Sequence, residues 1–164
     1  MTLPGTVRAL LRGEPVVLYR IGEPSPWGAW FALRAEDAAL YDQAHPDEPV
    51  RAYLVQPQRV VDARGHMLGD YLADLAARTR PTCCRPGRPC DGWCAEQHRL
   101  ADRVLATQSL AEDADAVIEA EEPGTAILHD DLYGDREHLS VLVVTPDVHQ
   151  VQRRKLCEHC RCKS

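Results

Sequence analysis

The sequence predicts an α+β fold. Its clearest apolar runs are short and β-branched, helical periodicity is confined to a few stretches, and strands and helices do not alternate regularly. With 164 residues, 45% of them apolar, the chain is long enough for one core and too short for two full domains.

The elements are expected in the following order. Arg8 to Arg12 suits a short helical turn, and Pro15 precedes Val16–Ile21, a β-branched run expected as a buried strand. Residues 22–28 hold two prolines and two glycines and predict a loop. Ala29–Ala32 predicts a strand, and Arg34–Ala44 a helix stopped by His45-Pro46. Val50–Val55 and Arg59–Asp62 predict two further extended pieces. A helix is expected over His66–Thr79, because Met67, Leu68, Leu72, Leu75 and Ala76 recur at helical spacing. Thr79–Trp93, rich in Pro, Gly and Cys, predicts a loop, and Ala95–Leu110 a helix. Ala111–Glu122 carries six acidic residues and no basic one, which predicts a solvated face, with Ala116-Val117-Ile118 as a short strand. Thr125–Leu128 and His138–Thr145 are expected to be the closing strands.

Charge and composition narrow the function. A net charge of −6 argues against a globally basic nucleic-acid binder. Residues 151–164 carry +4, which leaves −10 on the first 150. This basic tail suits folding back on the acidic body, an acidic partner or a solvated terminus. No apolar run approaches the ~18 residues that cross a bilayer, so no membrane partner is expected. Met1–Gly5 lacks the basic start and apolar stretch of a signal peptide, so a cytoplasmic location is expected.

Several residues together resemble a known family. Leu18-Tyr19-Arg20 is followed after a loop by Gly28-Ala29-Trp30-Phe31-Ala32 and then by Ala38-Ala39-Leu40-Tyr41. This looks like the opening of an ADP-ribosyltransferase domain of the diphtheria-toxin and poly-ADP-ribose-polymerase type. In that family the first strand ends in His or Arg, and a Gly-x-Tyr-Phe strand precedes a second aromatic eleven positions on. Trp30 and Tyr41 are eleven apart. A late strand opens with Glu in the family, and Glu137-His138-Leu139-Ser140-Val141-Leu142-Val143-Val144-Thr145-Pro146 is similar. Trp replaces the usual Tyr at the stacking position, and the Ser-Thr-Ser triplet of arginine-specific toxins is absent.

The resemblance implies an ADP-ribosyltransferase-like split β core over residues 1–150, with a Cys-containing insertion at about 80–110; residues 151–164 are a basic, Cys-rich tail expected to pack back through a metal site. The resemblance also implies NAD as substrate and a protein or nucleic-acid acceptor of ADP-ribose. Breaking the nicotinamide–ribose bond creates an oxocarbenium-like centre that a carboxylate stabilises, the role implied for Glu137. Arg20 would hold a phosphate or ribose, a task suited to a guanidinium fork. Trp30 and Tyr41 would stack on the nicotinamide ring. Read by residue type alone, Trp30, Phe31 and Tyr41 also suit a core, Arg20 a surface ion pair, Glu137 a solvated acid and Asp135 a turn.

The seven cysteines form two clusters, Cys83, Cys84, Cys90 and Cys94, with His98 nearby, and Cys157, Cys160 and Cys162. An odd number without an export signal argues against a disulfide framework. Four thiolates drawn from both clusters would make a structural zinc site that clamps the tail to the body. An iron–sulfur cluster and a redox-responsive thiol set use the same residues. The competing reading of the whole chain is a non-catalytic, zinc-stapled module that binds a macromolecular partner through its tail.

Overall fold

In the computed structural model, which describes residues 3–44, 47–82 and 92–151, seven strands pair into one mixed sheet. They are β1 (Val16–Ile21), β2 (Gly28–Ala32), β3 (Val50–Val55), β4 (Arg59–Asp62), β5 (Thr125–Tyr133), β6 (Arg136–Val144) and β7 (Val148–Gln150). Across the sheet the order is β4-β5-β6-β2-β1-β3-β7. Only β4 and β5 run parallel; every other neighbouring pair is antiparallel. The described helices are α1 (Leu3–Leu11), α2 (Ala35–Ala38), which continues as a 3₁₀ turn over Ala39–Ala44, α3 (Met67–Thr79), α4 (Gly92–Ala106) and α5 (Ala114–Ala120). None of them is long and apolar enough to cross a membrane.

The sheet is buried on both faces at its centre, which explains why β5 and β6 contain unbroken apolar runs. Strand alternation sends Val141 and Val143 to one face, where Val7 and Leu10 of α1 join Leu18, Phe31 and Tyr53. Leu142 and Val144 go to the other face, among Leu72 and Leu75 of α3, Val104 of α4 and Val117 of α5. Leu100, Ala101 and Val104 are buried there too, so α4 is part of the core.

Strands β1, β3 and β4 have the bounds that their β-branched runs predict. The expected strand at Ala116–Ile118 is instead part of α5. Asp113 caps this helix by accepting from the Ala116 amide at 3.4 Å, and Ala116 and Val117 fill the core. The acidic stretch is also not wholly solvated, because the Glu121 carboxylate has no exposed side-chain surface. Arg59 Nη1 at 2.8 Å, Tyr71 Oη at 2.8 Å and Arg78 Nη2 at 3.2 Å all donate to it. Burial pushes the Glu121 carboxyl up, but the Arg78 bonds, the Glu122 amide and the Tyr71 hydroxyl outweigh it and hold the group below its ordinary value. The expected helix over Ala95–Leu110 starts earlier, at Gly92, and ends at Ala106.

Candidate functional site

One seam in the sheet is weak. β1 and β2 are in register only at Tyr19 and Ala32, whereas β1 meets β3 at six positions and β2 meets β6 at five. Where β1 and β2 part, Arg20 Nη1 donates to the Trp30 carbonyl at 3.2 Å, so a side chain satisfies that backbone acceptor. Beside the gap lies a cavity of about 390 Å³, lined in part by Arg20, Trp30, Phe31, Tyr41, Asp131 and Ser140. Three of these, Arg20, Trp30 and Tyr41, are the residues for which the family resemblance implies NAD binding. They arrive from β1, β2 and the 3₁₀ turn after α2.

Each has a defined setting. The Arg20 Nε is buried without a hydrogen-bond partner among the described residues, and burial lowers the guanidinium below its ordinary value. Arginine remains a cation despite such a shift, so Arg20 brings positive charge to the cavity wall. Trp30 packs on His129 with ring centres 4.8 Å apart. His129 is buried, its Nε2 has no partner among the described residues, and burial pushes its pKa down, which keeps it neutral at pH 7. Tyr41 packs edge-on against Tyr133 at 4.8 Å and His138 at 5.8 Å. The aromatic walls are thus braced from behind.

The Tyr41 hydroxyl donates to Asp131 Oδ2 at 3.0 Å, and the Ser140 hydroxyl donates to the same oxygen at 3.0 Å. His138 Nε2 lies 3.0 Å from the Tyr41 oxygen. Because Tyr41 gives its proton to the carboxylate, the His138 ring must donate at Nε2, which fixes its tautomer. Burial, followed by the Asp131 charge, raises the Tyr41 pKa and keeps it a neutral phenol. Sequence reasoning missed Asp131, Ser140 and His138.

Glu137 lies elsewhere. It is exposed at the start of β6, opposite Leu132, and strand alternation puts it on the other face of the hairpin from His138 and Ser140. It lines a second, more open cavity of about 1020 Å³ that takes in residues of both faces, Asp130 and Glu137 from one and Asp131 and His138 from the other, together with Arg34 and Asp37. Arg34 and Arg136 both donate to Asp37, which neutralises that buried carboxylate. Asp135 sits in the two-residue turn between the paired Tyr133 and Arg136, as its turn reading expects.

No protein-family model, curated protein or solved structure matches this chain.

Of the expected metal ligands, Cys83, Cys84, Cys90, Cys157, Cys160 and Cys162 lie outside the described residues. Cys94 is half-buried on α4, one helical turn before half-buried His98, so the two share a helix face. Among the described residues no group of three or more His, Cys, Asp or Glu side chains is placed to hold a metal ion.

Proposed function

We propose that this chain is an NAD-dependent ADP-ribosyltransferase, built on a variant of the ADP-ribosyltransferase fold and acting on a cytoplasmic acceptor. What supports the reading is that Arg20, Trp30 and Tyr41, singled out from three separate segments, line one cavity. Its volume is at the lower end of the ~300–1,000 Å³ range of ligand cavities, which suits the nicotinamide end of the dinucleotide. The nicotinamide ring stacks against the braced aromatic walls, and Arg20 donates to a ribose hydroxyl or phosphate. The adjoining open cavity receives the acceptor, and Glu137 on its wall orients the incoming group. Glu112, Asp130 and Glu137 on its wall pair with no Arg or Lys among the described residues and repel phosphates, which favours a protein acceptor over a nucleic acid.

The proposal includes a structural zinc held by four thiolates drawn from Cys83, Cys84, Cys90, Cys94, Cys157, Cys160 and Cys162. Cys94, one turn from His98 on a regular helix, suits a Cys/His donor pair, so one of these thiolates is replaceable by His98. With every ligand supplied by the protein, such an ion braces the fold and takes no part in the reaction.

The test is nicotinamide release from NAD by the purified full chain, with a cell lysate as acceptor source. Release and labelling of a lysate protein by wild type are expected, with labelling reduced at least tenfold in a folded Glu137→Ala variant. Absence of release and of NAD binding by wild type would leave the non-catalytic binding module.

A further inference from the structure

We propose that Asp131 is the carboxylate that faces the reacting sugar carbon, and that Glu137 serves the acceptor side only. The assignment rests on the transferase reading above and specifies which acid does the chemistry.

The geometry behind it is local. Three residues, Ala111, Asp131 and Leu132, line both cavities, and Asp131 alone of them is charged. If the aromatic cavity holds nicotinamide and the open one holds the acceptor, the bond to be broken crosses their shared wall. Asp131 stands at that crossing; Glu137 lines only the outer cavity and lies on the opposite face of the hairpin. The Asp131 charge is also held in place. Its Oδ1 accepts from the Leu132 amide at 2.8 Å, while Tyr41 and Ser140 fix Oδ2. Among the described residues no Arg or Lys pairs with it, and the imidazole of His138 lies beside it with Nε2 at 3.7 Å. Asp37 and Glu121, by contrast, are spent on arginines. A fixed carboxylate without a guanidinium partner, only partly exposed, is suited to stabilising a positive charge that develops nearby.

The step is balanced without a further reagent. The bond between the ribose C1′ and the nicotinamide nitrogen breaks, its electron pair stays on that nitrogen, and neutral nicotinamide leaves. C1′, transiently positive beside Asp131, bonds to the acceptor nucleophile, which releases one proton to solvent; with water as acceptor the product is free ADP-ribose. Asp131 is unchanged and nothing is oxidised.

The experiment measures three quantities on wild type, Asp131→Asn and Glu137→Gln. They are NAD binding by calorimetry, nicotinamide release without an acceptor, and labelling of lysate protein. The assignment predicts that Asp131→Asn binds NAD within about threefold of wild type and loses acceptor-free release by at least a hundredfold. Glu137→Gln should lose labelling at least tenfold more than it loses acceptor-free release. Retained release in Asp131→Asn, or its loss in Glu137→Gln alone, would overturn the assignment while leaving the transferase reading intact. An Asp131→Asn variant that no longer binds NAD would also overturn it, since the carboxylate would then act by holding Tyr41. If wild type neither binds NAD nor releases nicotinamide, both the transferase reading and the assignment fall.

Discussion

Tyr41 and Asp131, ninety positions apart in the chain, are joined by a 3.0 Å hydrogen bond from phenol to carboxylate. The bond ties the 3₁₀ turn after α2 to the outer end of β5, and so closes one side of the aromatic cavity. It turns an isolated aromatic ring into a fixed wall.

Removing the hydroxyl should therefore cost stability while the ring stays in place. Tyr41→Phe keeps the ring and loses a charge-assisted bond, for an expected loss of about 1–2 kcal/mol in urea unfolding. In a double-mutant cycle with Asp131→Asn the two changes should be strongly non-additive, because they delete the same interaction. Simple additivity would mean that the bond contributes nothing.

The buried Glu121 makes a separate prediction about acid. Arg59, Arg78 and Tyr71 all lose their acceptor in Glu121→Ala, and the expected loss is about 2–4 kcal/mol. The lower part of the usual range applies because both arginines are about a third exposed. The folded carboxyl titrates below its unfolded value of about 4.3, so its contribution is fully present above that pH and is lost as pH falls through the lower, folded value. The stability gap between wild type and Glu121→Ala should accordingly shrink on acidification below about pH 4. A gap that does not change with pH would show that the ionised carboxylate is not the stabilising species.

If zinc clamps the tail to the body, the purified chain should contain about one equivalent by elemental analysis. Chelation, or the pair Cys157→Ser and Cys160→Ser, should lower the melting temperature by roughly 2–4 °C for each kcal/mol lost. A brown protein that contains iron would replace zinc with an iron–sulfur cluster. Colourless, metal-free protein whose melting is indifferent to chelation would remove the metal site from the account.

Local chemistry in the sequence accounts for much of the fold. Val16–Ile21 and Val50–Val55 are β-branched between breakers, and they are strands in the structure. Ala116-Val117-Ile118 is a short apolar run whose period suits helix and strand equally; the useful signals were Asp113 as a cap and Asp115 in the first turn. Arg20, Trp30 and Tyr41 were implied by the family resemblance, whereas Asp131 was not, because β5 was expected to stop at Leu128. Gly134-Asp135 could have corrected that, since a glycine with φ of 61° followed by Asp is a two-residue hairpin turn, and it extends both strands past Asp131 and His138. The partnership of Asp131 with Tyr41 and Ser140 depends on sheet order and register, neither of which a single sequence displays.

The central claim is that the Arg20–Trp30–Tyr41 cavity binds NAD, and a calorimetric titration of the full chain tests it most directly. Wild type should bind one NAD per chain. Arg20→Ala should weaken binding by about 10- to 150-fold, the equivalent of the ~1.5–3 kcal/mol of a charge-assisted bond. Trp30→Ala should weaken it about 2- to 12-fold through lost stacking of ~0.5–1.5 kcal/mol. No saturable heat from wild type at millimolar NAD, or equal affinity in all three proteins, would contradict the account.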